Sequence, residues 1–384
     1  MPQARFNKND WILRDDRQEH HRTLFVAALW LLVSLVGVFM GSLWLNELPL
    51  LGTYFLSDDR SLRRIAFAAY LISIALAMTL ALYQTWENTQ LWHFALLWIS
   101  VVALITLSKH IYVSTLVTLM IVIPFWPGHP FMLIGDIVAD TGEETFIIAA
   151  LCFTALDVLP MRITQILTLT VMGTCVLLAS YTEYKDPNAT LPRVEEITFD
   201  QPLVGHRAEE RAILAHVENG DTIITGENLS RHQTLRSDLA FWCPEVERKS
   251  LTLFLGVENE DGAGQMMRLS PQRCLTPELV YDPEVGIPSI SGGLGDGTQV
   301  KTRISDYKVG WLACYEALSI FRWFSRDLRQ SDLIIAYAND QWITSFPATQ
   351  YRRHIAEKMA RIFGAKIVFA DRGQSFIRIK GTNT

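Results

Sequence analysis

Long apolar runs crowd the first half of the chain, and short strand-like runs separated by helical patterns fill the second. Leu24 to Leu45 is nearly unbroken and uncharged, and similar runs follow at Ile65–Gln84, Leu91–Leu107, Ile111–Trp126, Phe146–Leu159 and Ile163–Tyr181. At about 1.5 Å rise per residue the longer ones satisfy the length condition for crossing a ~30 Å hydrocarbon layer. The first run is too long for a cleavable signal peptide, and no small-residue cleavage site follows it. Residues 1–184 are therefore expected to form a multi-span α-helical membrane domain with about six hydrophobic segments. Gly37, Gly41 and Pro49 allow the first segment to be a helical hairpin. Arg5, Lys8, Arg14, Arg17 and Arg22 precede the first run, Arg60, Arg63 and Arg64 the second, and Lys109 and Arg162 flank later ones. This basic bias puts those loops inside and the tail after Tyr181 outside. His93 and His110 are read as interfacial residues near span ends.

Lys185–Arg193 holds two prolines and an Asn and reads as a linker, so residues 185–384 form a second domain. Strands are expected at Ile197–Phe199, Thr222–Thr225, Leu251–Val257, Met266–Leu269, Lys308–Ala313, Leu333–Ala338, Ile367–Ala370 and Phe376–Ile379. Helices are expected at Arg207–Val217, after Ala313 through Phe324, and at Ala348–Phe363. The alternation predicts an α/β domain with one sizeable core.

Composition sharpens this picture. Of 384 residues, 49% are hydrophobic and 19% charged, which excludes a disordered chain. Lys and Arg number 34 against 40 Asp and Glu, a net charge of −6 that argues against nucleic-acid binding. Five cysteines exclude a disulfide scaffold. Cys243 and Cys274 could pair, but two cysteines among many loops rarely meet the ~5.5 Å Cα spacing, and two buried thiols are the expectation. No Cys/His spacing fits a zinc site. The Gly-rich Ser291–Thr298 lacks the Gly-Lys-Ser/Thr of a phosphate loop and reads as a surface loop.

The candidate chemistry centres on Cys314. It stands where the strand KVGWLA gives way to a helix, at the carboxyl end of a sheet where α/β sites gather. A cysteine after an apolar strand is, alone, a core residue. Glu227 changes that reading, because it ends the strand TIIT and a poorly solvated carboxylate suits a general base. A third piece, Asn339-Asp340-Gln341-Trp342, follows the strand LIIAYA. Gln350 and His354 on a helix and Asp371-Arg372-Gly373-Gln374-Ser375 between two strands complete the set.

From Ile197 to Ile379 this ordered set resembles the nitrilase (carbon–nitrogen hydrolase) superfamily, in particular its membrane-bound branch, the apolipoprotein N-acyltransferases. The chain ends at Thr384 without a final span, a layout more like the conjugal-transfer TraB proteins related to that branch. The resemblance implies an α-β-β-α sandwich in which Cys314 attacks an acyl carbonyl, Glu227 carries the proton and a Lys stabilises the oxyanion. Gln272 stands where that Lys is expected, with Arg273 beside it and Arg268 four earlier. Arg273 is taken as the stand-in cation, which can donate to an oxyanion but cannot shuttle a proton. Glu278 stands for the acyltransferases' second Glu, and Glu316, Asn339, Asp340 and Trp342 are supporting residues. No cofactor and no metal is implied. The resulting expectation is a multi-pass bacterial inner-membrane enzyme, its C-terminal domain periplasmic. It would carry out Cys-dependent acyl transfer or amide processing, with a lipid acyl donor and a protein or small-amine acceptor, in the service of plasmid conjugal transfer. The alternatives are a degenerate nitrilase-fold structural protein of a conjugation or cell-envelope apparatus, and hydrolysis of a small amide.

Overall fold

The computed structural model describes residues 24–26, 28–37, 68–69, 72–73, 147, 170, 174, 193–203, 205–260, 264–283, 300, 302–304, 307–318, 320–339 and 348–381. The chain divides into two compact units. One comprises Met1–Thr118, Leu156–Thr164 and Ser345–Pro347, and the other Leu119–Ala155, Gln165–Thr344 and Ala348–Thr384. In the first unit residues 28–37 are helical, and the buried Ser34 and Ser73 hydroxyls share a hydrogen bond of 2.7 Å.

Among the described residues no helix is long and apolar enough to cross a membrane. This overturns the multi-span helical domain, and with it the multi-pass inner-membrane protein with a periplasmic tail. An apolar run meets the length condition only as one continuous helix. Most of the remaining apolar runs, with His93 and His110, lie outside the described residues, as do Ser291–Thr298, Asp340 and Trp342.

The described strands of the second unit form two sheets. The elements run β1 (Val194–Thr198), α1 (His206–His216), β2 (Thr222–Ile224), β3 (Ser230–Arg231), α2 (Leu235–Arg248), β4 (Thr252–Glu258), β5 (Gly264–Leu269) and β6 (Glu278–Tyr281). They continue with β7 (Thr302–Ile304), β8 (Tyr307–Ala313), a 3-10 turn (Cys314–Leu318), α3 (Ile320–Trp323), α4 (Arg326–Arg329), β9 (Leu333–Ala338), α5 (Ala348–Ile362), β10 (Lys366–Asp371) and β11 (Ser375–Ile379). The first sheet has the order β1-β11-β2-β4-β5-β6, with β3 also paired to β4. The second has the order β10-β9-β8-β7.

The two sheets stack face to face. Phe254, Met266 and Ile377 of the first meet Trp311, Ile335, Tyr337 and Val368 of the second in one buried cluster. On the outer face of the first sheet, α1 and α2 bury Ile213, Trp242 and Val246 against Leu253, Leu255 and Phe376. On the second sheet α5 packs along β10 and the 3-10 turn, and Arg352 and Arg353 of α5 both pair with the buried Asp371 at the end of β10. Strands β8, β9 and β10 are parallel, with Ala313 in register with Tyr337 and Asp371 with Ala338. A parallel strand covered on both faces needs a continuous apolar run, and all six residues of LIIAYA in β9 are buried.

Cys243 of α2 and Cys274, in the turn after β5, form a disulfide with a Cα–Cα distance of 5.5 Å. The expectation of two buried thiols is thus corrected. Both cysteines lie in the cluster between α2 and the first sheet, so helix packing sets the spacing that chance would not. The bridge closes a loop of about 31 residues, for which chain-entropy arguments give roughly 4 kcal/mol. Reduction, or Cys243→Ala with Cys274→Ala, is expected to lower stability by that amount in denaturant unfolding. An unchanged midpoint would show that α2 docks without the bridge.

Candidate functional site

The carboxyl ends of the parallel strands converge on the Ala338 carbonyl. Its oxygen accepts the Glu227 backbone N–H at 3.2 Å and the Arg372 backbone N–H at 2.9 Å. Glu227 follows β2 of the first sheet, while Ala338 and Arg372 close β9 and β10 of the second, so this oxygen links the two layers. Cys314 comes directly after Ala313, the register neighbour of Tyr337. The Cys314 main chain therefore lies one strand spacing, about 4.8 Å, from Ala338. Glu227 and Cys314 thus reach the same sheet end from two sheets.

Glycines make this approach possible. A Cβ on Gly226 would lie 2.3 Å from the Arg372 nitrogen, and one on Gly256 would lie 2.1 Å from the Gly226 carbonyl oxygen. A Cβ on Gly264 would meet the Glu227 side chain itself, 2.2 Å from its Oε1 and 2.4 Å from its Cγ. The Glu227 carboxylate therefore lies over bare backbone of β5, between the sheets. The Tyr337 hydroxyl, donating to the Gly264 carbonyl at 3.2 Å, borders it. Burial holds that phenol well above its ordinary value, with the Tyr281, Glu316 and Glu227 charges adding to the shift, so it stays a proton donor.

Cys314 is a buried thiol with backbone φ of 27°. Side chains rarely adopt that left-handed conformation, and it costs of order 1–3 kcal/mol unless its surroundings impose it. Glu316 is the restraint. Its carboxylate, fully buried, accepts the Ala313 backbone N–H at 3.0 Å and the Tyr281 hydroxyl. Tyr281 is likewise held well above the ordinary phenol value, by burial and then by the neighbouring Glu316 carboxylate. Arg322, which donates to the Trp311 carbonyl at 3.0 Å, lies over the Tyr281 ring. The carboxylate two residues after Cys314 thus folds back and ties the turn to the end of β8.

Asn228, beside Glu227, has φ of 57°. Its Oδ1 and that of Asn339 are buried and accept no hydrogen bond from the described residues. Strained backbone and unmet buried acceptors gather at sites that hold a ligand.

Of the residues singled out in the sequence, the structure brings together Cys314, Glu227, Glu316 and Asn339. Arg273 and Glu278 are not with them. Arg273 is exposed in the turn after β5, its N–H bonded to the Ser270 carbonyl. Glu278 begins β6 opposite Arg268, its partner at 3.9 Å. Arg268 is four residues along β5 from Gly264, about 13 Å. Tyr281 and Tyr337 were not legible as site residues, and Arg372, read as part of the turn between two strands, was assigned no role of its own. Gly256, inside an apolar strand, carried a usable signal, since an interior glycine marks close approach by other backbone.

Arg372 feels the charge of Glu227. Burial lowers its pKa, Glu209 counters that, Arg231 adds to it, and Glu258 and Glu227 also counter it. Glu209 of α1 is buried and accepts the Gly373 N–H at 2.7 Å. Burial pushes its pKa up from 4.5 to about 7, despite that hydrogen bond and the Arg372 charge. No family model matches the chain, and no curated protein matches it.

Two outcomes follow from this geometry. Gly256→Ala would press on backbone that cannot yield and should cost about 1–3 kcal/mol of stability. Gly264→Ala would instead displace the Glu227 side chain, leaving the melting temperature closer to wild type. Thermal melts of both variants check the order, and equal losses would contradict it. The second outcome concerns pH. Below about pH 4.5 Glu209 is protonated in both folded and unfolded chains, and between there and about pH 7 only the folded chain keeps the proton. Its contribution therefore makes stability fall as pH rises through that window. Glu209→Gln keeps the acceptor and removes the ionisation. Relative to wild type it should gain on the order of 3 kcal/mol at about pH 8 and almost nothing at about pH 4. Urea titrations at both values check this, and a gain independent of pH would overturn it.

Proposed function

We propose that this chain is a cysteine-dependent enzyme of acyl transfer or amide processing, of the nitrilase type, with Cys314 as nucleophile and Glu227 as proton carrier. The observation that carries the reading is the shared Ala338 carbonyl. It holds the Glu227 main chain beside the strand end where the left-handed Cys314 begins its turn. The order of Glu227, Cys314-Tyr315-Glu316 and Asn339 along the chain supports it as well.

In this reading the Cys314 sulfur bonds to the carbonyl carbon of an acyl substrate, and the thiol proton passes to the Glu227 carboxylate. The C–N or C–O bond then breaks, and the carboxylic acid of Glu227 returns the proton to the leaving amine or alcohol. A second nucleophile, an amine or water, attacks the thioester with its proton moving to Glu227, and the thiol is regenerated. Glu316 is a positioning residue that holds the strained turn. Arg273 and Glu278 have no part in these steps. A lipid donor has its argument only in the multi-span domain and is not retained.

Intact-mass analysis after incubation with a panel of acyl amides, esters and thioesters tests the proposal. The expected result is a hydroxylamine-sensitive acyl adduct on wild type and none on Cys314→Ala. Glu227→Gln should form it at least a hundredfold more slowly. An adduct that persists in Cys314→Ala, or a panel that never acylates wild type while the protein's cellular role survives Cys314→Ala, would leave a nitrilase-type scaffold without this chemistry.

A further inference from the structure

A concave feature lies at the amino end of β8, the opposite end of that strand from Cys314. It is a cavity of about 460 Å³ between the β7–β8 hairpin and α4, within the usual size range of small-molecule sites. Buried Thr302 and Val309 contribute to its wall, and Arg303, Lys308 and Arg326 line it with exposed side chains.

The charge arrangement is unusual for a surface hairpin. Arg303 and Lys308 are direct cross-strand partners, and like charges placed opposite one another destabilise an antiparallel pair. Arg326 of α4 adds a third cation to the same cavity. Among the described residues none of these three side chains forms an ion pair. Asp327, the one acid among the described lining residues, is committed to Arg322 at 2.7 Å. Nearby Asp332 accepts the Lys308 backbone N–H at 2.9 Å. Among the described residues three cations therefore line one cavity whose single acid is paired elsewhere, and a concave, low-dielectric wall strengthens their field.

We propose that this cavity binds a small phosphorylated molecule, its phosphate held by Arg303, Lys308 and Arg326. A phosphomonoester carries about −1.5 to −2 charges near neutral pH, which relieves the Arg303–Lys308 repulsion and employs the third cation. A single carboxylate would leave two cations opposed. Guanidinium groups also match phosphate oxygens two at a time. The site is separate from Cys314, since the six residues from Lys308 to Cys314 span about 20 Å of strand. It is independent of the reaction proposed above.

Calorimetric titration of the full chain with inorganic phosphate and with phenyl phosphate, at constant ionic strength, tests this. Saturable binding is expected for both probes, at least tenfold weaker in Lys308→Gln and in Arg326→Gln. It should be unchanged in Cys314→Ala and in Arg211→Gln, an exposed charge on α1 outside the cavity. Melting temperatures identify any variant that has lost its fold, and Arg326→Gln, outside the sheets, then carries the comparison. No saturable binding to wild type, or equal weakening by Arg211→Gln, would overturn the proposal.

Discussion

One carbonyl oxygen, that of Ala338, accepts N–H groups from Glu227 and Arg372, and the local architecture is built around that pairing. β9 ends there, its last carbonyl taking the ladder bond from the Arg372 N–H at the end of the neighbouring β10 and keeping a second lone pair for another donor. The Glu227 N–H fills it, which draws the segment after β2 across from the other sheet. That crossing is possible only because residue 226 carries no side chain. The same contact fixes the height at which Glu227 leaves the backbone, and Gly264 then leaves the space that its side chain fills.

Three buried carboxylates surround this junction, and each is accommodated differently. Asp371 is matched by two arginines from α5, so β10 and α5 are joined through charge. Glu316 has a backbone N–H and a phenol, partners that orient it and hold the Cys314 turn in place. Glu209 is pushed toward neutrality by burial although it has an amide donor and a nearby guanidinium. The burial of a charge is thus offset by ion pairing in one case, by directed hydrogen bonds in the second, and in the third by a shift toward the protonated form. The Arg372 turn joins the last of these to Glu227, because Gly373 touches Glu209 while Arg372 touches the Ala338 carbonyl.

Strain is found in the same place. Of the three described non-glycine residues with positive φ, Cys314 and Asn228 lie one at each side of the sheet junction, and Ser250 follows α2. Such conformations persist where packing over-determines them. Here Glu316 provides that constraint for Cys314, and the Ala338–Glu227 hydrogen bond, one residue earlier in the chain, does so for Asn228.

The central strands were legible in the sequence. β4, β8 and β9 are buried on both faces, a condition that writes itself locally as a continuous apolar run. α5 was legible to within a residue, from Ala348 to Ile362, because its periodicity is unbroken. α2 was not read, although Leu239, Trp242, Cys243 and Val246 recur at helical spacing on its buried side. Pro244 inside it reads as a breaker. The short strands β3, β6 and β7 carry too few residues for a period to show. The apolar runs of the first half misled because run length says nothing about whether one helix continues through it. Strand-end placement of Cys314 and Glu227 could be read from local pattern, whereas Arg273 was chosen by its nearness in sequence to Gln272 and stands on an exposed turn. What the sequence by itself determined was the set of buried strands and the residues at their ends, since both follow from neighbours along the chain. The tertiary structure alone decided that Glu227 and Cys314 share a sheet end, that Tyr281 holds Glu316, that Cys243 meets Cys274, and that Arg303 faces Lys308. Each of those pairs depends on the distance between chain segments, which sheet stacking and register set and which no local pattern encodes.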